Sequence, residues 1–381
     1  MKVLTIASKL EMGGIEKTLL SCLPYLKENG VEMSILCSVG GVLDEDYIKN
    51  GVKLIDFGVN KKPFKDAKFL KKIISEQKFD LVHSRNGHTS GVFAKVCKKA
   101  GVPFLISIHN ERAMFRNSWI EKPILRNLRI WYLNYQKKLS IKYATKIIGH
   151  SKANLKYFTG ANGFAGNEKL YEVLYNGVDF SKFNNYPQLN LQRQNELKKI
   201  LEGKKKVLVH IGSFKEQKNH IFLVDVFKKL DPIKNSYALI LLGIGDLMEQ
   251  VKEYVDFLGL KDYILFVGME TNIAPYLYAS DLFIFPSLFE GFGNVLIEAQ
   301  YANLPIAASD IAPHYEASFE AYHQYFYDPC NVEQAKDNIE KLLLEENTEL
   351  LKQARMFSEA FSIQKMADNL LNIFNKSVNE R

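Results

Sequence analysis

"DLFIFPSLFEGFGNVLIEAQ", residues 281–300, reads as three pieces in a row: an unbroken apolar run, a turn holding Gly291 and Gly293, and a short apolar helix. A run with no polar alternation suits a parallel strand covered on both faces. Strand, glycine turn and helix together form half of a βαβ unit, so this stretch predicts an α/β fold. It also carries two carboxylates. Glu290 stands before the glycines, and Glu298 sits among Val295, Leu296, Ile297 and Ala299. A carboxylate in an apolar run is costly unless something hydrogen-bonds it. Acidic charge at a helix N-terminus is the plain explanation, and a ligand is the sharper one.

The same rhythm runs outward in both directions. Strand signals fall at 2–8, 32–38, 52–57, 79–84, 103–109, 145–151 and 171–176, with helical patterns between them at 15–29, 66–77 and 89–100. A second series follows at 205–212, 237–243, 263–268, 281–287, 304–309 and 324–328. The polar stretch between the two series has the composition of an inter-domain connection. The expected organisation is an N-terminal Rossmann-like domain over 1–180, a linker over 181–204 and a second Rossmann-like domain over 205–361. Residues 362–381 form an amphipathic helix, with the N-terminal domain as a candidate docking partner. At 381 residues the chain is long enough for two such cores facing across a cleft.

Composition narrows the class. The chain is 47% hydrophobic and 24% charged, as a globular protein is, and its net charge of +7 suits an anionic ligand or surface. Cys22, Cys37, Cys97 and Cys330 form no close pair, which reads as reduced core cysteines of a cytoplasmic protein. Only six residues separate Lys2 from Lys9, too few for a signal-peptide core. No uncharged run approaches the ~18–20 residues a spanning helix needs. The chain is expected in the cytoplasm, with contact to the cytoplasmic face of a membrane as a further option.

Three strand ends carry features that suit an anion. Gly13 and Gly14 follow the first strand and open a helix, where backbone can approach a phosphate; a plain turn is an equal alternative. Lys215 and Lys218 lie in "GSFKEQKNH", 212–220, and a lysine suits a diphosphate. Gly-Phe-Gly-Asn, 291–294, offers backbone donors and a helix dipole. Glu298 then fits a carboxylate that accepts two ribose hydroxyls. Together these point to a nucleoside diphosphate.

At this point the chain resembles the family-4 retaining glycosyltransferases of the GT-B fold. "EGFGNVLIE", 290–298, looks like their Glu-x7-Glu motif. "MGGIEK" (12–17), "YNGVDFSKF" (175–183), "GSFKEQKNH" (212–220) and "LPIAASDIAPHYE" (304–316) fit in the same order. The resemblance implies a hexosyltransferase that uses a nucleotide diphosphate sugar, UDP-sugars being the family default, and needs no metal or other cofactor. It implies that Gly13 and Gly14 lie near the donor diphosphate, that Lys218 neutralises it, and that Glu290 holds hydroxyls of the transferred sugar. Phe292, Gly293, Asn294 and Val295 would line the donor, Glu298 would hold the ribose, and His109 would stand beside the donor sugar. The family commonly has Arg where this chain has Ser213, so Ser213 and Lys215 join the donor-binding candidates. The resemblance further implies a front-face reaction with retention and a role in surface-polysaccharide synthesis. A covalent route through Glu290 is the lesser alternative.

Other signals compete. Asp44-Glu45-Asp46 has the look of a metal motif, yet acidic loops are ordinarily solvated, and no metal is expected. Arg85 and His88 occupy a strand-end loop and are acceptor-side candidates. Residues 112–146 hold nine basic residues against Glu121 alone, interleaved with aromatics. Arg112, Arg116, Trp119, Arg126, Arg129 and Trp131 are the membrane-contact candidates there, and a lipid-linked acceptor glycan would follow. A core-packed helix pair with a solvated basic face explains the same pattern. Nucleic acid is not an expected partner, because no recognised module appears. An epimerase of similar fold, or a non-catalytic nucleotide-sugar protein, is the alternative function.

Overall fold

The computed structural model describes residues 1–57, 63–109, 123–160, 167, 169–345 and 348–380. It divides into two compact units, Met1–Gly177 with Ile363–Arg381, and Val178–Ser362. Each is built on one parallel sheet.

The first unit contains β1 (Lys2–Lys9), β2 (Glu32–Ser38), β3 (Lys53–Asp56), β4 (Leu81–Ser84), β5 (Phe104–Ile108), β6 (Lys146–Gly149) and β7 (Tyr171–Val173). Their order in the sheet is β3-β2-β1-β4-β5-β6-β7, and every pairing is parallel. The second unit contains β8 (Lys206–Ile211), β9 (Tyr237–Leu242), β10 (Ile264–Gly268), β11 (Leu282–Phe285) and β12 (Ile306–Ala308), ordered β10-β9-β8-β11-β12. Both orders wind outward from a central strand and reverse there. The reversals fall between β1 and β4 and between β8 and β11. Ligands of open α/β sheets bind at such switch points, beyond the carboxyl ends of the strands.

The aliphatic runs become strands because both faces are covered. Leu4, Ile6 and Ile106 face one buried cluster, while Val3, Ile35 and Leu105 face another. The second cluster includes Met366, Leu370, Ile373 and Phe374 of the helix Ile363–Asn379, whose apolar residues recur at helical spacing. That helix packs beside the helix Gly14–Glu28 and so returns the chain end to the first unit. Gly177 makes its approach possible, since a β-carbon there would come within 2.7 Å of Ile363 Cα.

Two expectations are corrected. The stretch 181–204 is not a bare linker: it holds the helices Ser181–Asn184 and Leu191–Leu201 and belongs to the second unit. Phe183, Leu189 and Ile200 are buried, while Leu191 is exposed, and those three anchors hold an otherwise polar segment. Residues 324–328 do not form a thirteenth strand. A 3-10 turn over Glu320–Tyr325 precedes a single bridge between Ser309 and Tyr327. Tyr322, Tyr325, Phe326 and Tyr327 are buried there without sheet geometry, because aromatic bulk satisfies a core as well as a strand does.

Candidate functional site

In the second unit the loops after β8 and β11 meet at the switch point. Gln217 Nε2 donates to Phe289 O at 2.8 Å, and Leu288 N–H donates to Gln217 O at 2.8 Å. This pair of bonds holds the two loops in register. Lys218, at the end of a 3-10 turn, then places Nζ 2.5 Å from Glu290 Oε1. The same ammonium lies 4.4 Å from the centroid of the Phe285 ring, a cation–π contact. The side chains are 14% and 10% exposed. A buried ion pair of this kind is held by geometry, because neither charge can relax into water.

Beyond Glu290 the chain must turn into a helix. Phe292 is buried against Phe361, with ring centroids 5.5 Å apart, and anchors the turn. Gly293 follows at φ 106°, where glycine alone is comfortable, and caps the helix Asn294–Tyr301 without a side-chain hydrogen bond. The first-turn N–H groups of that helix start from Asn294, so the helix dipole opens beside the Lys218–Glu290 pair. Glu298 lies one turn further on and is half-buried. The buried carboxylate of the motif is therefore Glu290 rather than Glu298. The apolar neighbours of Glu298 point into the core while its own position on the helix stays near the surface. Ser213 is half-buried, and Lys215 is exposed, so Lys218 is the lysine that the fold immobilises.

His314 is a residue the sequence reading missed. It is fully buried, and its Nδ1 hydrogen-bonds to Ser309 O at 2.8 Å. Burial lowers its pKa to about 4, opposed by the nearby Glu290 carboxylate and the Ser309 carbonyl and reinforced by Lys218. His220 is likewise lowered to about 3 by burial and by Lys218, and His210 well below the ordinary range by burial, His220 and Lys218. Lys218 thus stands among three neutral imidazoles and one carboxylate. Apart from Ser309, nothing in "SDIAPHYE" marks His314 locally, because Phe285 comes from β11, and Glu290 and Lys218 from the loops after β11 and β8.

The first unit repeats the logic. A cavity of about 750 Å³ opens at the carboxyl ends of β1, β4 and β5, lined by Arg85, Asn86, His88 and His109 among others. Arg85 is 9% exposed, and its Nη2 donates to Ile15 O at 2.9 Å, joining the β4 loop to the helix after β1. Tyr47 Oη donates to Glu16 O at 2.7 Å beside it. His109 stacks on His150, with centroids 4.1 Å apart and planes 14° from parallel. Burial, with His150, Arg85 and His83 adding to it, pushes His109 well below its ordinary pKa, so the ring is neutral near pH 7. Gly13 caps the helix Gly14–Glu28 with no side-chain bond, and the carboxylate of Glu16 occupies the space where a Gly13 β-carbon would sit. His88 packs against Phe158, with centroids 5.3 Å apart.

The helix Pro123–Tyr143 carries the described part of the basic region; Arg112, Arg116 and Trp119 lie outside the described residues. Its inner face is packed, with Gln136 and Ser140 buried and Gln136 Oε1 accepting from Val92 N–H at 2.9 Å. Its outer face exposes Arg126, Leu128 and Trp131, the last at 67%, stacked on Tyr135. Among the described residues, no helix is long and apolar enough to cross a membrane. Asp44-Glu45-Asp46 opens the helix Asp44–Lys49, and Asp44 accepts from Gly40 N–H at 2.7 Å, a structural task.

Comparison with known proteins follows the same division. Residues 12–182 match the family described as "Glycosyltransferase Family 4", and residues 192–361 match "Glycosyl transferases group 1". The chain is 26% identical over 315 residues to UDP-Gal:alpha-D-GlcNAc-diphosphoundecaprenol alpha-1,3-galactosyltransferase of Escherichia coli, covering 79% of this chain and 77% of the relative. It is 26% identical over 335 residues to the capsular polysaccharide biosynthesis glycosyltransferase CapH of Staphylococcus aureus, covering 86% and 85%. Among solved structures, Anabaena HepE in complex with UDP superposes with a TM-score of 0.77 at 19% identity, covering 99% of this chain and all of that one.

Proposed function

Since the chain belongs to the family-4 glycosyltransferases of the GT-B fold, we propose that it moves a hexose from a UDP-sugar to a hydroxyl of an acceptor glycan, with retention at the anomeric carbon. The observation that carries this reading is the Lys218–Glu290 pair at the switch point of the second unit. A donor has one chemical use for each half. Its diphosphate takes the Lys218 ammonium, and a hydroxyl of its sugar donates to the Glu290 carboxylate. The backbone N–H groups of Gly293, Asn294 and Val295 receive the developing phosphate charge, and Glu298 accepts from the ribose hydroxyls. Ser213 and Lys215 flank the diphosphate from the β8 loop.

The bond between the anomeric carbon and the diphosphate oxygen breaks as the acceptor oxygen bonds to the same face of that carbon. The acceptor proton passes to the departing phosphate oxygen. Preorganised positive charge at the leaving group then supplies most of the acceleration. His109, being neutral, serves as a hydrogen-bonding partner of the sugar instead of a cation, and Gly13 with Gly14 lets the first unit's backbone approach the donor. No metal is part of this scheme. Arg85 and His88 hold the acceptor. Relatives that act on diphosphoundecaprenol-linked glycans, and in capsule synthesis, support a lipid-linked acceptor of a surface polysaccharide. The exposed basic and aromatic face of the helix Pro123–Tyr143 supports contact with the membrane that would carry it.

The experiment is transfer from UDP-glucose, UDP-galactose and their N-acetyl forms in EDTA, with the product's anomeric configuration read by proton NMR. An α-linked product from an α-linked donor is expected. A β-linked product would overturn retention, and activity restored only by added magnesium would overturn the metal-free scheme.

A further inference from the structure

The cavity of the first unit is built around a cation that no ion pair neutralises. Arg85 follows β4 directly, is 9% exposed and lines the cavity. Among the described residues its side chain makes one hydrogen bond, from Nη2 to Ile15 O at 2.9 Å, and joins no ion pair. A guanidinium has five N–H donors and stays charged at any ordinary pH. None of its nitrogens is both buried and without a partner, so the donors that Ile15 does not take open onto the cavity. Beside it Ser8 Oγ donates to Asn86 Oδ1 at 3.3 Å, which leaves the Asn86 amide N–H groups as further donors on the wall. The other charges of the wall are accounted for. Lys9 pairs with Glu11 at 2.8 Å. Asp66 has a partner of its own and is not among the groups that act on Arg85. Glu16 does act on Arg85, but its Oε2 lies in the space where a Gly13 β-carbon would sit. A buried charge without a partner is costly, and a bound anion removes that cost. The cavity, about 750 Å³, falls in the size range of small-molecule sites.

We propose that the acceptor sugar carries an anionic group, a carboxylate or a phosphate ester, which enters this cavity and pairs with Arg85. The inference rests on the glycosyltransferase reading for the cavity's occupant and adds its chemical class. Arginine meets such groups with two parallel N–H···O bonds, a fork that a lysine point charge cannot match. Asn86 adds a neutral donor. In a space with little water the attraction is stronger than at an open surface. A neutral sugar fills the same space but leaves the guanidinium unpaired, so it binds less tightly.

The test titrates the whole protein with glucose 6-phosphate and with the methyl glycosides of glucuronic acid and of glucose, with and without saturating UDP, followed by ligand-observed NMR at millimolar concentration. Wild type should bind at least one anionic sugar roughly ten- to hundredfold more tightly than methyl glucoside, the worth of a hydrogen bond to a charged group. Which of the two leads distinguishes a uronic acid from a sugar phosphate. Arg85→Gln should bring the anionic sugars down to the affinity of methyl glucoside, whose own binding should change little. Arg85→Lys keeps the charge without the fork and should keep a reduced preference, which guards against a Gln variant that folds poorly. Equal or weaker binding of both anionic sugars by wild type, no binding of any sugar, or a preference unmoved by Arg85→Gln would overturn the proposal. So would loss of the preference in saturating UDP, because the anion site would then be the donor's. The UDP-induced rise in melting midpoint is read in the same samples. A rise without an anionic preference sinks this inference alone. An anionic preference without the rise leaves Arg85 as the anion site and sinks the glycosyltransferase reading of the occupant.

Discussion

Lys218 Nζ and Glu290 Oε1 meet at 2.5 Å although 72 residues separate them in the chain. The contact exists because β8 and β11 are neighbours in the sheet, and the loops after them are tied by Gln217. With both side chains nearly buried, removing one partner leaves the other charged and dry. Lys218→Met is expected to cost about 3–5 kcal/mol of stability. Adding Glu290→Gln should recover most of that loss. Urea unfolding of the two single variants and the double variant checks this. A Lys218→Met cost below about 1 kcal/mol would mean the pair is solvated and the account of the loop junction is wrong.

Glu298→Ala probes the ribose assignment separately from that pair. Glu298 is half-buried on a helix whose core contacts come from Leu296, Ile297 and Ala299. The variant should therefore keep the core packing of that helix. UDP at ~100 times its dissociation constant should add about 2.7 kcal/mol to wild type. The variant should lose most of that increment, read as the shift of melting midpoint with UDP in EDTA, with GDP, ADP and TDP as comparisons. An undiminished shift would remove Glu298 from the site.

Gly293 makes the turn between the two motif glutamates at φ 106°. Alanine there is expected to cost about 1–2 kcal/mol, the usual strain of a side chain in a left-handed backbone. It should also tilt the helix Asn294–Tyr301 and abolish the UDP-induced shift. Gly14→Ala is the control, since a β-carbon at Gly14 meets nothing within 4 Å. It should leave stability close to wild type.

His314 gives the stability a defined pH dependence. Its folded pKa, about 4, lies below the ordinary 6.5 of a histidine, so the unfolded chain binds more protons between those values. Stability is fully present above about pH 6.5 and falls as the pH drops toward 4. One such group accounts for about 3 kcal/mol over that window, each pKa unit being worth about 1.4 kcal/mol. His220, lowered to about 3, acts in the same direction. Urea midpoints of wild type between pH 4 and 7 should decline steadily, and His314→Gln should flatten the decline. Equal slopes would show that His314 does not titrate in this way.

Much of this was readable in the sequence, and the reasons differ by feature. Most strands announced themselves because a covered parallel strand is largely apolar, as in "LFIF" over Leu282–Phe285, while Lys53–Asp56 and Tyr171–Val173 carry charge and a weaker signal. The motif loops were readable because glycines and lysines recur at three strand ends in the order of a known family, although a plain turn explains each one taken alone. What stayed hidden depends on contacts remote in sequence. Asp66 reads as an ordinary first-turn acid until the fold buries it in the cavity wall. His314 gains meaning only when β12 lies beside β11. Even the two glutamates exchanged roles: local apolarity marked Glu298 as the buried one, while tertiary pairing buries Glu290.

The helix Pro123–Tyr143 decides whether membrane contact belongs to the function. Its inner face is fixed by Gln136 and Ser140, so substitutions on its outer face should not unfold the protein. That outer face joins Leu128 and Trp131, exposed at 58% and 67%, to Arg126, and the helix holds no acidic residue. An amphipathic helix of this charge gains from apolar burial and from anionic headgroups together, each basic residue near the surface adding about 1 kcal/mol. Flotation with vesicles containing a third phosphatidylglycerol should capture the wild type, and neutral vesicles should not. Trp131→Ala with Arg126→Gln should lower capture several-fold, and so should salt, because screening shortens the reach of surface charge. Capture by neither vesicle would leave the outer face a solvated helix surface. The acceptor would then have to reach the cavity of the first unit from solution.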